Sequence, residues 1–374
     1  MSHAYEGPVD HPGTYLLEEI EARGWNQRDL AYILGVSERT ISQIISGKSG
    51  ISADMAKALA SAFEVSPDLF LSMQNDYDLW AAGDPEASVK TRARVSASYP
   101  LREMVRRGWL LDERDPTLME LQLSRFFGVE TLDRVPHLRH AAKKTHYEDA
   151  PAQQIAWLFR VRQVAAGMSV PRYSKAGLEK AVREMRTMLR SPEDIGRVPR
   201  LLQDAGVRFI VVEGLSGGKI DGVCFWTDNQ PVIGMTLRFD RIDNFWFVLR
   251  HEIEHVLQGD GREREIIDTE DVINASDAAS ISVEERRANE AAAAFCVPLD
   301  QMDSFFKRKY PYFHKADVEG FAERIGVHPG LVAGQIQRRV QRYNLLRDYL
   351  VRVREYLTEN ATIDGWGVTL PSVA

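Results

Sequence analysis

The chain has 374 residues, of which 44% are hydrophobic and 27% charged, so it is long enough for two or three globular domains with apolar cores. Its apolar runs fall far short of the ~18 residues that span a bilayer, and its first residues lack the basic and apolar regions of a signal peptide. The two cysteines, Cys224 and Cys296, exclude a disulfide scaffold and a Cys-rich zinc module. So few cysteines predict a cytoplasmic protein with two buried thiols. The short apolar runs predict that it has no membrane partner.

The net charge of −7 argues against a protein that coats nucleic acid without specificity, but this average conceals three segments. Residues 1–80 carry 5 Lys and Arg against 12 Asp and Glu, residues 81–200 carry 22 against 15, and residues 201–374 carry 20 against 27. A basic middle segment is therefore flanked by two acidic ones, which predicts that the segments have different tasks.

The acidic N-terminal segment has the pattern of a small helical domain. Apolar spacing and capping residues predict five helices: 13–23, 27–34 behind Asn26, 38–46 behind Ser37, a fourth from Ser52 to Phe63, and a fifth that begins at Ser66-Pro67. The second and third are joined by a short turn that contains a glycine, as in a helix-turn-helix, whose second helix enters the major groove of DNA.

The phase of the third helix separates its buried face from its outer face. The apolar residues Val36, Ile41, Ile44 and Ile45 are expected to pack inward. The candidate DNA contacts are then the polar residues Glu38, Arg39, Thr40 and Gln43 toward bases, and Gln27, Arg28, Lys48 and the first-turn amides behind Ser37 toward phosphates. The alternative is a helical bundle that docks a protein, which the acidic composition favours.

Residues 11–79 resemble the HigA-type antitoxins of the XRE helix-turn-helix family. The resemblance rests on the "HPG" start, the core "LAYILGVSERTISQIISGKSGI" and the tail "FEVSPDLFLSMQNDYDL". It implies a homodimeric repressor that binds double-stranded operator DNA and is paired with a cognate toxin.

The basic middle segment carries no recognisable chemistry. Residues 81–100 are interpreted as a linker, and helices are expected at Pro100–Trp109, Pro116–Phe127 and Pro151–Ala166. The cluster HAAKKTH at 140–146 is interpreted as a solvated surface, with added phosphate contacts as the alternative.

The C-terminal half contains a potential metal site. Strands are predicted at 207–214, 221–227 and 231–237, and a helix capped by Asp243 or Asn244 follows them. Within this helix lies His251-Glu252-Ile253-Glu254-His255, in which the two histidines at i and i+4 can bind one metal ion. Glu252 is placed to accept a proton from a water molecule bound to the metal. Glu254 is expected to be a surface charge. The alternative is a solvated helical face.

A third ligand is expected from the helix in "SVEERRANEAAAAFCVP". Glu284, Glu285 and Glu290 could all reach the metal, and we choose Glu285 because it shares a helix face with small alanines, which permit close approach. Glu284 remains the alternative, and a surface position at a helix start is the competing interpretation.

The segments "RIDNFWFVLRHEIEHVL", "EERRANEAAAAFCVP" and "FAERIGVHPGLVAGQIQRR" resemble the ImmA/IrrE metallopeptidases over roughly residues 150–345. Three apolar positions of the second motif differ, at Ala291, Phe295 and Val297. The resemblance implies one zinc ion per chain, or manganese, held by His251, His255 and Glu285, with Glu252 as general base. An oxyanion donor is also needed, for which we choose His328, with Tyr343 behind it.

Together these patterns predict a mostly α fold with a small β-sheet (α+β). The expected parts are a five-helix helix-turn-helix domain (1–80), a linker and helical connecting region (81–150), a gluzincin-like metallopeptidase domain (151–345), and a C-terminal helix and tail (346–374). Two functions remain open: a DNA-binding regulator whose zinc endopeptidase domain cleaves a partner such as a repressor or toxin, and a non-proteolytic antitoxin and autorepressor that uses the peptidase-like domain as a sensor or scaffold.

Overall fold

A computed structural model describes residues 8–83, 87–132, 151–262, 266–269 and 282–371. The chain forms two compact units, Met1–Lys90 and Thr91–Ala374. The predicted basic cluster at 140–146 lies outside the described residues. Within the described ranges, no helix has the length and apolar character needed to cross a membrane.

The first unit contains the five predicted helices. They are α1 (Pro12–Ala22), α2 (Gln27–Leu34), α3 (Glu38–Ile45), α4 (Ala53–Phe63) and α5 (Pro67–Ala82). Their starts are capped as the sequence indicates, since Asn26, Ser37, Ser52 and Ser66 each accept a hydrogen bond from a first-turn amide. A small core around Leu16, Leu30, Ile41, Leu59 and Phe70, all fully buried, holds the helices together.

The turn between α2 and α3 depends on a glycine. Gly35 ends α2 with φ 68° and ψ 30°, a left-handed conformation that a residue with a β-carbon adopts only at a cost. Ser37 then starts α3, and Ile41 and Ile44 are buried while Val36 and Ile45 are partly buried against the same core. The predicted inward face of α3 is therefore confirmed.

The second unit is mostly helical around one mixed sheet. Its helices are α6 (Ala87–Ser98), α7 (Leu101–Arg106), α8 (Pro116–Phe127), α9 (Ala152–Ala166), α10 (Lys175–Thr187), α11 (Val198–Asp204), α12 (Ile242–Gln258), α13 (Val283–Cys296), α14 (Leu299–Lys309), α15 (Lys315–Ile325), α16 (Pro329–Val340) and α17 (Arg354–Thr358). The predicted linker at 81–100 contains the boundary between the two units, but α6 occupies most of it and buries Val95.

The sheet has the order β4-β2-β3-β1-β5. Its strands are β1 (Arg208–Val212), β2 (Ile220–Thr227), β3 (Gln230–Met235), β4 (Ile266–Thr269) and β5 (Thr362–Asp364). Strand β1 is parallel to both β3 and β5, whereas β2 is antiparallel to β3 and β4. The hairpin between β2 and β3 turns at Asp228 and Asn229, both with positive φ, as tight two-residue hairpin turns require.

Both faces of the sheet are covered, which explains why its strands read as continuous apolar runs. Phe209 and Val211 face a core that contains α10, α11 and α12, while Ile210 and Val212 face a second core that contains α8 and α9. The fold class predicted from the sequence, mostly α with a small sheet, is confirmed.

The last residues are part of the sheet. The expected C-terminal helix and tail contains the short α17, but it also contains β5, which pairs with β1. Asp364 of β5 is fully buried, accepts hydrogen bonds from Arg160 of α9 and accepts one from the indole N–H of Trp109 at 2.7 Å. This network fastens the C-terminus to helices that come much earlier in the chain.

Candidate metal centre and candidate nucleic-acid interface

Helix α12 places two imidazoles side by side inside the protein. It packs against β2, β3 and α13, and nearly every residue from Phe245 to Val256 is buried. His251 and His255 are both fully buried, and their Nε2 atoms lie 3.1 Å apart. The i, i+4 spacing therefore brings the two ring nitrogens to one point.

Helix α13 adds a carboxylate at the same point. Ser282 caps this helix, and Ala288 and Ala292 on its buried face allow it to approach α12 closely. Glu285, 1% exposed, has its carboxylate oxygens 3.3 Å from His251 Nε2 and 3.6 Å from His255 Nε2. Of the three glutamates considered from sequence, Glu285 is the one that joins the histidines, since Glu284 and Glu290 are exposed.

These donors fit a tetrahedral metal site. One ligand atom from each of His251, His255 and Glu285 lies within 4.8 Å of the others. Zinc bonds of about 2.0–2.1 Å at tetrahedral angles place ligand atoms roughly 3.3–3.5 Å apart, which is close to the 3.1–3.6 Å found between these atoms. Two imidazoles and one carboxylate are also the donor set of several catalytic zinc sites, which leave one position open.

The outward-facing nitrogens of both imidazoles are held by hydrogen bonds. His251 Nδ1 donates to Asn289 Oδ1 and His255 Nδ1 donates to Asp260 Oδ2, each at 3.1 Å. Because Nδ1 carries the proton in both rings, the Nε2 lone pairs point toward Glu285 and toward each other. Such an arrangement of lone pairs and a carboxylate is repulsive by itself, and a cation among them relieves the repulsion.

Asp260 is in turn held by Arg287 of α13. The Arg287 guanidinium donates to Asp260 Oδ2 at 2.5 Å. Burial alone would raise the pKa of the Asp260 carboxyl, but the hydrogen bond from His255 and the charge of Arg287 together hold this pKa below its usual value. The sequence motif did not reveal Asp260 or Asn289 as partners of the histidines, although Asn289 follows Glu285 by one helical turn.

Glu252 lies on the sheet side of α12, fully buried. A β-carbon added to Gly222 of β2 would lie 2.0 Å from Glu252 Oε1, so the carboxylate rests directly on the Gly222 backbone. An isolated glycine within a strand pattern often marks such a close approach, and this was the available sequence signal.

Glu254 is not the surface charge that the sequence analysis expected. It is 7% exposed and forms an ion pair with Arg250 at 2.8 Å, while Gln258 donates to it at 2.7 Å. Burial would raise the pKa of Glu254, but these two partners outweigh burial and lower it. The helix wheel alone could not show that α13 covers this face.

His328 does not lie where the predicted oxyanion donor would have to be, so this prediction is wrong. His328 caps α16, its Nδ1 accepts the Gly330 N–H at 3.0 Å, and Gly330 packs against Ile242 at the start of α12. The nine residues from Ile242 to His251 correspond to about 13 Å of helix, which separates this ring from the histidine pair. Tyr343, the predicted support of His328, is 48% exposed and donates to Gln341.

A different basic residue approaches α12, the helix that carries His251 and His255. The Arg338 guanidinium lies 3.9 Å from the centre of the Phe247 ring, and this ring stacks at 6.4 Å on that of His251. Burial lowers the pKa of Arg338, and the charge of Asp243 partly offsets this effect. Arg338 of α16 therefore packs on α12 at Phe247, one helical turn before His251.

The predicted DNA-contact residues lie on α2, on α3 and in the turns that adjoin α3. Arg28, Glu38, Arg39 and Lys48 are exposed, and Gln27, Thr40 and Gln43 are partly exposed. Ser37 Oγ is bonded to the Thr40 amide at 3.1 Å, so the role of this hydroxyl is to start α3. Within the described residues, no ion pair occupies Arg28, Arg39 or Lys48.

The charge of this surface differs from that of the rest of the unit. Residues 27–48 carry three basic residues, Arg28, Arg39 and Lys48, against two acidic ones, Asp29 and Glu38, which gives +1. Residues 1–80 together carry −7, so the acidic residues are concentrated elsewhere in the unit. The acidic composition therefore does not exclude phosphate contacts at α2 and α3.

Comparison with known proteins identifies both units. The family described as "Helix-turn-helix" matches residues 16–70, and the family described as "IrrE N-terminal-like domain" matches residues 203–336. Virulence-associated protein A′ of Dichelobacter nodosus is 40% identical over 75 residues, which are 20% of this chain and 65% of that protein. Virulence-associated protein I of the same organism is 36% identical over 85 residues, which are 22% of this chain and 79% of that protein.

A solved structure of the Pseudomonas aeruginosa antitoxin HigA with its promoter is 35% identical, over 20% of this chain and 82% of that one, with a TM-score of 0.20. Each of these relatives covers about a fifth of this chain, and the candidate metal centre lies within the residues that match the IrrE family. The two resemblances deduced from the sequence are confirmed by the family matches. The chain belongs to the XRE-type helix-turn-helix family through its first unit and carries an IrrE-like peptidase-family domain in its second.

Proposed function

We propose that the second unit is a zinc-dependent endopeptidase that cleaves a partner protein, such as a repressor or a toxin. The convergence of His251, His255 and Glu285 beside the buried Glu252 carries the proposal. When bound there, a zinc ion, or manganese in its place, would supply Lewis acidity toward a water molecule and a peptide carbonyl.

Glu252 is the proposed general base. Its carboxylate would accept a proton from the attacking water and return this proton to the leaving amine nitrogen as the peptide bond breaks. Its contact with the Gly222 backbone limits its movement, which supports proton transfer over a fixed distance. Asn289 and Asp260 would keep the two imidazoles in the tautomer that presents Nε2.

We further propose that the first unit binds double-stranded operator DNA as a homodimer, with α3 in the major groove. Arg39 and Gln43 on the outer face of α3 suit bidentate contacts to bases, with Glu38 and Thr40 beside them. Gln27, Arg28, Lys48 and the first amides of α3 would contact phosphates. Binding to an operator would place the protein in the compartment of its DNA, in agreement with the predicted cytoplasmic location.

A second candidate function is a non-proteolytic antitoxin and autorepressor of a toxin-antitoxin operon. It is favoured by the DNA-contact surface, which is built from α2 and α3 without any residue of the metal centre. In this case the second unit would serve as a sensor or as a scaffold for the toxin.

Elemental analysis tests the metal site. We expect about one zinc per chain in the wild type and in Glu290→Ala, a control at an exposed position of the same helix. His251→Ala and Glu285→Ala should each lose the metal. Full stoichiometry in both ligand variants would contradict the assignment.

Cleavage separates the two candidate functions. The purified protein would be loaded with zinc and incubated with the protein encoded by the adjacent gene. Glu252→Gln should keep the metal and lose cleavage of this partner, because the amide cannot accept the proton. If the wild type leaves the partner intact but binds it and represses the operon, the antitoxin function is the better one.

A gel-shift assay on DNA upstream of the gene tests the proposed operator contacts. Arg39→Ala and Gln43→Ala should each weaken binding, with a loss of about 1–3 kcal/mol for a bidentate base contact. Lys57→Ala on the exposed face of α4 is the control for a lost charge. Unchanged binding in both α3 variants, at unchanged thermal stability, would favour a protein-docking bundle.

A further inference from the structure

A cavity of about 320 Å³ lies where three parallel strands end. Its lining includes residues that directly follow the carboxyl ends of β1, β3 and β5: Glu213–Leu215, Thr236–Arg238 and Trp366. Ligands of open α/β sheets bind beyond the carboxyl ends of parallel strands, at points where the connections leave in different directions. Here β1 is followed in the chain by β2, which lies on the β3 side of β1 in the sheet, whereas β5 pairs with the opposite edge of β1.

The backbone around this cavity is unusually strained. Nine non-glycine residues of the described chain have positive φ, and four of them line the cavity: Lys219 (48°), Leu237 (52°), Asp240 (47°) and Trp366 (50°). For bulky residues such as leucine and tryptophan this conformation is a true outlier. Strain of this kind clusters at ligand sites, where the surrounding structure holds the backbone in place.

The acidic residues of the lining are already engaged. Glu213 Oε2 accepts the Trp366 N–H at 2.7 Å, and Asp240 Oδ1 accepts the N–H groups of Val353 and Arg354 at 3.0 and 2.8 Å. Both carboxylates thus hold the walls of the cavity together.

Two basic residues of the lining, Lys219 and Arg354, are available to an anion. Arg354 has its guanidinium 5.3 Å above the Trp366 ring, and its closest approach to Asp240 is 3.9 Å, beyond hydrogen-bond distance. Lys219 is exposed and forms no ion pair with any residue that the structure describes. Arg238 lines the same cavity and lies 3.9 Å from the buried Asp221.

The loop after β1 is rich in glycine, and two of its amides are already engaged: the Ser216 N–H donates to Glu103 Oε2 at 3.0 Å, and the Gly218 N–H donates to the Leu215 carbonyl oxygen at 2.9 Å. It reads Glu213-Gly-Leu-Ser-Gly-Gly-Lys219, and Gly217 has φ 80° with no atom near the place of a β-carbon. A β-carbon on Gly218 would lie 3.1 Å from the Leu215 carbonyl oxygen, so the turn is tight. The loop therefore shapes the wall of the cavity, and Lys219 at its end supplies the positive charge.

We propose that this cavity binds a small phosphate monoester that carries a planar ring, of the size of a nucleoside monophosphate. The phosphate lies against the glycine-rich loop, Lys219 and Arg354, and the ring packs on Trp366. The cavity volume falls within the range of small-molecule sites. The loop that contributes Thr236–Asp240 leads directly into α12, so the site adjoins the start of the metal-binding helix without using any of its ligands.

Calorimetric titration of the full-length protein at low salt tests the proposal, with the four ribonucleoside 5′-monophosphates titrated separately. At least one should bind once per chain, and the matching nucleoside without phosphate should bind at least tenfold more weakly. Lys219→Ala and Arg354→Ala should each weaken binding about tenfold. Lys180→Ala and Arg352→Ala, which remove the same charges at other exposed positions of the second unit, should bind as the wild type does.

The outcomes discriminate clearly. Absence of binding for all four nucleotides, equal binding of nucleotide and nucleoside, or equal loss in the cavity variants and their controls would each overturn the proposal. Arg39→Ala in the first unit should leave the titration unchanged, since loss of binding there would assign the nucleotide to the DNA-contact surface. Because binding is measured directly, the result is independent of whether the second unit cleaves peptides.

Discussion

Gly222 controls the position of Glu252 although it has no side chain of its own. Because a β-carbon at this position would lie 2.0 Å from Glu252 Oε1, Gly222→Ala should displace the carboxylate and cost about 1–3 kcal/mol of stability through overpacking. We expect loss of peptide cleavage with zinc content unchanged, measured by elemental analysis and by cleavage of the partner protein. Gly320→Ala on α15, where a β-carbon meets no atom within 4 Å, is the control. Retained cleavage in Gly222→Ala would contradict the proposed contact.

Asn289 and Asp260, which hold the two imidazoles, should affect zinc affinity almost as much as the candidate ligands do. Removing the partner of a metal-bound histidine typically lowers metal affinity by about 10–100-fold, because ring orientation and basicity change. Asp260→Asn and Asn289→Ala should therefore weaken zinc binding in a competition assay with a chromogenic chelator. Glu290→Gln, which removes a charge at an exposed position of α13, should leave affinity unchanged. An unchanged zinc affinity in both partner variants would show that these bonds do not tune the site.

The sequence predicted the candidate ligands more readily than the residues that bond to them, for a physical reason. His251 and His255 lie on one helix at fixed spacing, so local geometry alone brings them together. Asp260 and Arg287 meet only after α13 packs on α12, and no local pattern encodes that contact. The same limit explains the errors at Glu254 and His328, whose environments are made by other helices.

Helices α1 and α16 begin with the same three residues, His-Pro-Gly. In both, the histidine Nδ1 accepts the glycine N–H, at 2.9 Å for His11 and 3.0 Å for His328. In both, a backbone carbonyl approaches the glycine so closely that a β-carbon would lie 2.2 or 2.4 Å from its oxygen. The turns before α3 and α16 are also alike, with left-handed Gly35 and Gly326, so one chain uses the helix-turn-helix connection twice.

These histidine caps should make the protein sensitive to mild acid. Burial lowers the pKa of His328, and Glu193 only partly offsets the effect, so the folded state has a pKa below the ordinary value of 6.5. A lowered histidine pKa contributes stability that is present above pH 6.5 and is lost as the pH falls through the folded-state pKa. Urea unfolding should therefore show a smaller loss of stability between pH 6.5 and 5 for His328→Asn, which can cap without titrating. His314→Asn, at a helix start where the side chain makes no capping bond, should follow the wild type.

Strand β5 shows why the end of the chain was misjudged. The three residues of β5 have no unusual strand propensity. They form a strand because β1 offers an open edge and because Asp364 pairs with Arg160. Asp364→Asn should leave a buried guanidinium without its counter-charge and cost about 3–5 kcal/mol in urea unfolding. Asp348→Asn, which breaks an exposed pair with Lys315, should change stability little. Equal effects of the two substitutions would contradict the structural role of β5.

At the scale of the molecule, charge alone would assign DNA binding to the basic middle segment. The structure places the exposed cations of the helix-turn-helix, Arg28, Arg39 and Lys48, within an otherwise acidic unit, and α6 to α9 of the middle segment build one side of the peptidase-like unit. Arginines there serve the fold, as Arg160 does. Net charge is a sum over surfaces that face in different directions, so it identified neither the two units of the structure nor the surface suited to DNA.

Metal should stabilise the second unit specifically, because all three candidate ligands belong to it and come from two helices, with 30 residues between His255 and Glu285 in the sequence. A ligand that binds only the folded state adds about 2.7 kcal/mol at a free concentration one hundred times its Kd. For a domain of 150–250 residues each kcal/mol raises Tm by roughly 2–4 °C. Calorimetry should therefore show that Tm rises by several degrees when zinc is added to chelator-treated protein. The absence of this rise in His251→Ala would assign it to the second unit.

The buried-core variant Leu59→Ala, in the first unit, should keep the full zinc-induced rise. A rise of the same size in His251→Ala would mean that zinc acts elsewhere on the protein.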